Sequence, residues 1–167
     1  MTGDIKFTAA VVTVSDKGYR GERKDESGDL LERLLMEAGA RNVSRVLIPD
    51  ERDRIASNLK NLCRMKEVDL VLTTGGTGLM DRDVTPEATR DVIDREAPGI
   101  AEAIRAGSMK ITPRAMLSRA VSGICGGSLI INLPGSPKAC AESFEIIRPV
   151  IGHALGLLGG NCGECAR

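Results

Sequence analysis

Aromatic residues are almost missing from this chain: two Phe, one Tyr and no Trp in 167 residues. Binding single-stranded nucleic acid by base stacking needs a platform of aromatic faces, and Phe7, Tyr19 and Phe144 cannot build one. Net charge is missing too. Lys plus Arg number 23 and Asp plus Glu number 23, so no broad basic field exists to draw in nucleic acid. His153 is the only histidine; set in an apolar stretch, it reads as a bystander, and a histidine-dependent triad is disfavoured. No apolar run reaches the roughly 18 residues of a membrane helix, and Met1 to Lys6 lacks the apolar core of a signal peptide. Cysteine is sparse and odd in number, five in all: Cys63, Cys125, Cys140, Cys162 and Cys165. Together these absences predict a protein of the reducing cytoplasm, with neither membrane nor nucleic acid as partner.

What the chain does contain is an alternation of strand and helix patterns. Its length suits one domain, residues 1–160, followed by a short tail, 161–167, that carries a C-x-x-C pair. Phe7 to Val14 reads as a buried strand. Leu30, Leu31, Leu34, Leu35 and Ala38 share a helical face that Gly39 ends. Val43 to Ile48 is a second strand, and Ile55, Leu59, Leu62 and Cys63 mark a second amphipathic helix. Val68 to Thr73 is a third strand. Helices are predicted from Thr85 to about Glu96 and from Gly99 to Lys110, with a less regular stretch over 111–127 that has room for a short hairpin. Ser128 to Asn132 is another buried strand. Pro134-Gly135-Ser136-Pro137 opens a last helix, which Pro149 is expected to kink or restart and Gly159-Gly160 to end. This order predicts an α/β fold with a mostly parallel sheet covered by helices on both faces.

The chemistry collects at the ends of the strands. After Leu70, Val71 and Leu72 the chain runs Thr73-Thr74-Gly75-Gly76-Thr77-Gly78, then passes Asp81 and Asp83 to Thr85-Pro86-Glu87, read as N-cap and first helical turn. Glycines allow a sharp bend and offer bare N–H groups to an anion. Carboxylates beside such a loop suit Mg²⁺, which takes few protein ligands and shares its sites with water and phosphate. The other exits are similar: Ser15-Asp16, Pro49-Asp50-Glu51, and Pro134-Gly135-Ser136. In open parallel sheets ligands bind at this edge, so one site for a phosphorylated ligand is expected. Each feature also has a plain structural reading. The glycines could serve only a turn, Asp50 could cap the following helix, Asp83 could be a turn residue, and Ser136 is a good N-cap with no ligand at all.

Two phosphate motifs are absent. Gly78 is followed by Leu79-Met80 rather than by Lys-Ser or Lys-Thr, and Asp81 stands where the last glycine of a dinucleotide fingerprint would be. An ordinary ATPase and an NAD enzyme are thereby disfavoured. Cys162 and Cys165 supply two of the four ligands of a structural zinc; incidental thiols on a tail, or a metal or disulfide shared between subunits, are the two readings. Gly21 to Glu26 reads as a solvated charged loop.

Across this set of motifs the chain resembles the molybdopterin adenylyltransferases. The likeness runs through Val12-Thr13-Val14-Ser15-Asp16, Ile48-Pro49-Asp50-Glu51, Thr73 to Thr89, Glu96-Ala97-Pro98-Gly99, Met116-Leu117-Ser118-Arg119, and Leu129 to Ser136. It covers about residues 6–158; TTGGTG followed by RDVTPEAT is its most specific part. The resemblance implies a three-layer α/β sandwich of the molybdopterin-binding-domain type. It also implies a homo-oligomer (a trimer, or a hexamer in one subgroup) and a molybdenum insertase as a possible partner. The implied reaction joins molybdopterin and Mg-ATP to give adenylylated molybdopterin and pyrophosphate. The family's two functional aspartates fall on Asp50 and Asp83, the expected catalytic and Mg²⁺-holding pair. Ser15, Asp16, Thr74, Gly75, Gly76, Thr77, Gly78, Gly135 and Ser136 are the expected ligand-binding residues, with Ser118 and Arg119 supplying a cation to the anionic ligand. A second reading, a molybdopterin-binding or scaffold protein that does not catalyse, has the same fold; a third, a plain nucleotide-binding regulator, would need a partner-docking segment that is not apparent.

Overall fold

The computed structural model describes residues 6–65 and 67–160; the expectations for the C-x-x-C tail fall outside them. The first strand, β1 (Phe7–Val14), is buried along its length except at Thr8. Its alternating side chains face two ways. Phe7, Ala9 and Val11 join one core and Ala10, Val12 and Val14 another, so the strand is covered on both faces. The same split recurs in β3 (Leu70–Thr74) and β6 (Ser128–Leu133): Leu70, Leu72, Leu129, Ile131 and Leu133 face the first core, Val71 and Ile130 the second.

Helices close each side. Over the first core lie α2 (Glu26–Glu37), α5 (Pro98–Met109) and α6 (Pro137–Leu158), contributing Leu31, Leu35, Ile104, Phe144, Ile147 and Ile151. Over the second lie α3 (Arg52–Arg64) and α4 (Thr85–Arg90), with Ile55, Leu59, Leu62, Cys63 and Ala88. The result is a three-layer sandwich. Its six-stranded sheet also includes β2 (Ala40–Ile48), β4 (Arg95–Glu96) and β5 (Ser122–Cys125), in the order β2-β1-β3-β6-β5-β4. The four strands β2, β1, β3 and β6 are parallel, and β5 and β4 are added antiparallel. From β1 the chain goes to β2 on one side and later to β3 on the other, which makes the gap between β1 and β3 a topological switch point.

Several elements differ from the sequence expectation, each for a local reason. Strand β2 starts at Ala40 rather than Val43, because its exposed edge residues Arg41 and Asn42 lack an apolar signature while Phe7 pairs with Ala40. Helix α4 stops at Arg90 instead of continuing to about Glu96. Beyond it the backbone pairs with β5, through Asp94 N donating to Ile124 O at 2.7 Å and Ala97 N to Ser122 O at 2.9 Å. The irregular stretch holds a 3-10 turn, Pro113–Leu117, and then β5, which forms a hairpin with β6 around Gly126 at φ +59°. Helix α6 runs unbroken through Pro149, which sits on the exposed face where water can take the freed carbonyl. A four-residue helix, α1 (Asp16–Tyr19), had no apolar stripe to announce it.

Candidate active site at the strand exits

The exits of β1, β2, β3 and β6 converge on one cavity of about 420 Å³, lined by Ser15, Asp50, Thr74, Gly75, Gly76, Gly135 and Ser136 among others. Its floor is tied together by main chain. Ser15 N donates to Ile48 O at 2.9 Å and Gly75 N to Leu133 O at 3.2 Å, while the Thr74 hydroxyl donates to Pro134 O at 2.7 Å. The β3 and β6 loops touch so closely that a methyl on Gly135 would stand 3.4 Å from Gly75 Cα.

Asp16 and Asp50 hold each other by their backbones. Asp16 N donates to Asp50 Oδ2 at 2.8 Å, and Asp50 N donates to Asp16 Oδ1 at 3.0 Å. Asp50 therefore does not cap α3. The N-cap there is Glu51, which makes no side-chain capping bond. Burial pushes the Asp50 carboxyl above the usual carboxylate range. The negative charges of Asp16 and Asp83 add to that, and the Asp16 N–H and Arg82 oppose it. Asp16 goes the other way, because Arg82 donates to both of its oxygens, at 2.8 and 3.0 Å. Sequence spacing does not single out Arg82, although its place between Asp81 and Asp83 marks it as a counter-charge.

The glycine loop needs its glycines. Gly75 and Gly76 have φ of +98° and +67°, where other L-residues are strained. A methyl on Gly75 would strike the Val14 carbonyl; one on Gly76 would overlap Thr85 Oγ1 and come within 3.3 Å of Asp50 Oδ1. Thr85 is not the N-cap expected of it. Val84 holds that position, and the buried Thr85 hydroxyl donates to Gly75 O at 2.9 Å. Below, Asn132 Nδ2 donates to Thr73 Oγ1 and Thr89 Oγ1, both at 2.9 Å, fixing α4 under the loop.

Asp83 lies at the far end of the same loop. Its Oδ2 accepts from Met80 N at 2.9 Å, as a turn residue's would, and a methyl on Gly78 would stand 2.7 Å from it. Asp50 and Asp83 thus flank the loop, one beside Gly76 and the other beside Gly78. Ser136 caps α6 by accepting from Ala139 N at 3.2 Å, with its helix N-terminus facing the cavity. Arg23 and Lys24, in the stretch read as a solvated loop, form part of the cavity wall. His153 lies on α6 about 24 Å along the axis from Pro137, at 1.5 Å per residue, and outside the lining of this cavity.

Thr77, Gly78 and Ser118 line another cavity, of about 280 Å³, at the later residues of the loop. Its wall is mainly apolar, with Ile104, Ala115, Leu117, Pro134 and Ala139, and the buried Ser143 hydroxyl at its edge has no hydrogen-bond partner. Arg119, expected to serve the ligand as a cation, lies outside the lining of this cavity and is engaged by the protein's own acceptors. Its Nε donates to Gly78 O at 2.7 Å, and its other two nitrogens reach Asp83 O and the Glu87 carboxylate.

The carboxylates suit a hard cation. Among the described residues no group of three or more His, Cys, Asp or Glu is placed to hold a metal. A partly desolvated carboxylate with like charges around it is relieved by a divalent ion, and Mg²⁺ binds through one or two carboxylates plus water and phosphate.

Comparison with known proteins agrees with this architecture. The chain matches the family described as "Probable molybdopterin binding domain" over residues 10–153. It is 44% identical over 157 residues to the molybdopterin adenylyltransferase of Haemophilus influenzae, covering 93% of this chain and 79% of that protein. It is 43% identical over 154 residues to the molybdenum cofactor synthesis protein cinnamon of Drosophila melanogaster, covering 92% of this chain but only 26% of that longer protein. The crystal structure of the molybdopterin biosynthesis enzyme MoaB from Thermus thermophilus superposes with a TM-score of 0.87 at 47% identity, over 92% of this chain and 97% of that one.

Proposed function

The chain belongs to the molybdopterin binding domain family, and from that premise we propose that it adenylylates molybdopterin with Mg-ATP in molybdenum cofactor biosynthesis. The observation that carries this reading is that Asp50 and Asp83 stand beside the same glycine loop, Asp50 by Gly76 in the wall of a cavity formed by four strand exits and Asp83 by Gly78 beyond that wall. The name of the Haemophilus influenzae relative points the same way.

The reaction asks little of proton chemistry. A phosphate monoester is largely dianionic at neutral pH, with its second pKa at about 6, so the terminal phosphate of molybdopterin attacks the α-phosphorus without a general base. A new P–O bond forms there, the bond to the β-phosphate breaks, and pyrophosphate leaves with the electron pair. What must be managed is charge. Bound at Asp50 and Asp83, Mg²⁺ would neutralise part of the negative charge gathering at the α-phosphate. Main-chain N–H groups of Gly76, Thr77 and Gly78 take phosphate oxygens, that of Gly75 being engaged by Leu133 O, and Ser136 with the α6 N-terminus offers a second anion subsite.

A cavity at Thr74 to Gly76 and another at Thr77 and Gly78 suit two substrates that meet at the loop. The first, with Arg23 and Lys24 in its wall, suits ATP; the second, the more apolar of the two, beside Ser118, suits the pterin. Assembly as a trimer or hexamer is part of the proposal, supported by Met109, Ile111, Met116 and Leu117, which are each at least 45% exposed. So is a cytoplasmic location: among the described residues no helix is long and apolar enough to cross a membrane, and Cys63, Cys125 and Cys140 are free thiols. A molybdenum insertase is the proposed downstream partner.

The test is pyrophosphate release from Mg-ATP in the presence of molybdopterin, by the wild type and by Asp83→Asn. The wild type should turn over, and the variant should fold but lose about 10²–10³-fold in kcat, as when one oriented electrostatic group is removed. Binding of molybdopterin with no release by the wild type would support the non-catalytic scaffold reading instead.

A further inference from the structure

We infer that Arg119 is a positioning residue that clamps the loop carrying Asp83, an inference that rests on the adenylyl-transfer reading above. The loop from Leu79 to Asp83 has little else to hold it. Leu79 and Met80 are 64% and 75% exposed and bury no anchor. The Met80–Asp83 turn is closed internally, with Asp83 N donating to Met80 O at 2.8 Å and Met80 N to Asp83 Oδ2 at 2.9 Å. Such a turn fixes the carboxylate within the turn and leaves the placing of the turn to contacts outside it.

Two contacts tie the turn to the body of the protein. One is the bidentate Arg82–Asp16 pair, whose arginine side chain is 57% exposed; it holds the turn at Arg82 and touches neither Gly78 nor Asp83. The other is Arg119. Its backbone N donates to Thr77 O at 2.9 Å, its Nε to Gly78 O at 2.7 Å, and Nη2 to Asp83 O. One residue thus holds both ends of the segment from Gly78 to Asp83. Its own place is set by Nη1 on Glu87 of α4, a helix fixed in turn by Thr89 and Asn132. Glu87 neutralises the guanidinium, so Arg119 transmits geometry to Asp83 and adds no net positive charge to the site.

A planar fork is what this task requires. Lysine keeps the charge but cannot reach three acceptors at fixed angles. Removing the side chain altogether would strand Glu87, whose Oε2 is already buried without a partner. Arg119→Lys is therefore the informative substitution, with Arg119→Ala plus added guanidinium as its complement.

The experiment measures four quantities on wild type and both variants: the fraction folded by thermal unfolding, amide hydrogen exchange at residues 79–84, kcat and KM for ATP, and Mn²⁺ binding as a probe of the metal site. For Arg119→Lys, kcat per folded molecule should fall about 30-fold or more, in keeping with the roughly 10²-fold cost of a 1 Å misplacement, while KM for ATP changes less than about threefold. Exchange at 79–84 should quicken, Mn²⁺ should bind more weakly, and guanidinium should restore part of the activity of Arg119→Ala. Wild-type kcat per folded molecule together with unchanged exchange in Arg119→Lys would overturn the inference. Absence of pyrophosphate release from the wild type would overturn the adenylyl-transfer reading itself, and the positioning role would fall with it.

Discussion

Gly76→Ala isolates the constraint that shapes the loop. The backbone at Gly76 has φ +67°, and a side chain in that region costs about 1–2 kcal/mol. The new methyl also overlaps Thr85 Oγ1 and comes within 3.3 Å of Thr85 Cβ and Asp50 Oδ1; overpacking of this kind costs about 1–3 kcal/mol. Stiffening the unfolded chain returns about 0.4–1 kcal/mol. The net expectation is a destabilisation of about 3 kcal/mol, which a domain of ordinary stability, about 5–15 kcal/mol, survives. Urea unfolding should show it as a lower midpoint with unchanged slope. A double-mutant cycle then locates the strain. Thr85→Ala alone is destabilising, because the hydroxyl's bond to Gly75 O is lost, but it removes the atom that the methyl strikes. The double variant should therefore be more stable than the sum of the singles predicts, by about 1 kcal/mol or more. Additive effects, or a Gly76→Ala protein as stable as the wild type, would refute the argument that this loop is built around a missing side chain.

Three further outcomes follow from the electrostatics. Burial raises the Asp50 pKa above its unfolded value, so the stability this group lends is full at low pH and lost as pH rises through the folded pKa. Asp50→Asn should accordingly raise the melting temperature at neutral pH while cutting pyrophosphate release, and a lowered melting temperature would contradict the desolvation argument. For the same reason, the midpoint of the acid loss of Mn²⁺ binding should lie above the ordinary aspartate range in the wild type, and a midpoint within that range would count against Asp50 as a ligand. Burial pushes the Cys63 and Cys140 thiols up to about 12 and about 11, so neither should react with iodoacetamide at about pH 8 until the protein is unfolded; peptide mapping of the alkylated protein checks this.

Much of the fold was legible because its strands are buried on both faces. Phe7–Val14 came out with the bounds the apolar run predicts, and β3 and β6 within two residues of them at either end. The pattern failed where pairing, not hydrophobicity, decides. Arg41 and Asn42 are strand residues by virtue of β1 beside them, and Arg95–Glu96 by virtue of β5. At the site, the strand-exit rule brought Ser15, Asp50, Thr74, Gly75, Gly76, Gly135 and Ser136 to one cavity. Side-chain partnerships were beyond it. Thr85 reads equally well as an N-cap and as a hydroxyl aimed at Gly75 O, and Arg119 as a ligand cation or as a clamp, because spacing carries no information about which acceptor a flexible side chain meets.

Adenylyl transfer is tested most directly by following the phosphorus. Wild-type protein, molybdopterin and Mg²⁺ are incubated with ATP labelled either at the α- or at the γ-phosphorus, and the pterin product is separated and counted. Adenylyl transfer puts α-label in the pterin product and releases γ-label as pyrophosphate, with both signals nearly absent for Asp83→Asn. Label from the γ-phosphorus on the pterin, or an unlabelled pterin with ATP intact, would contradict it.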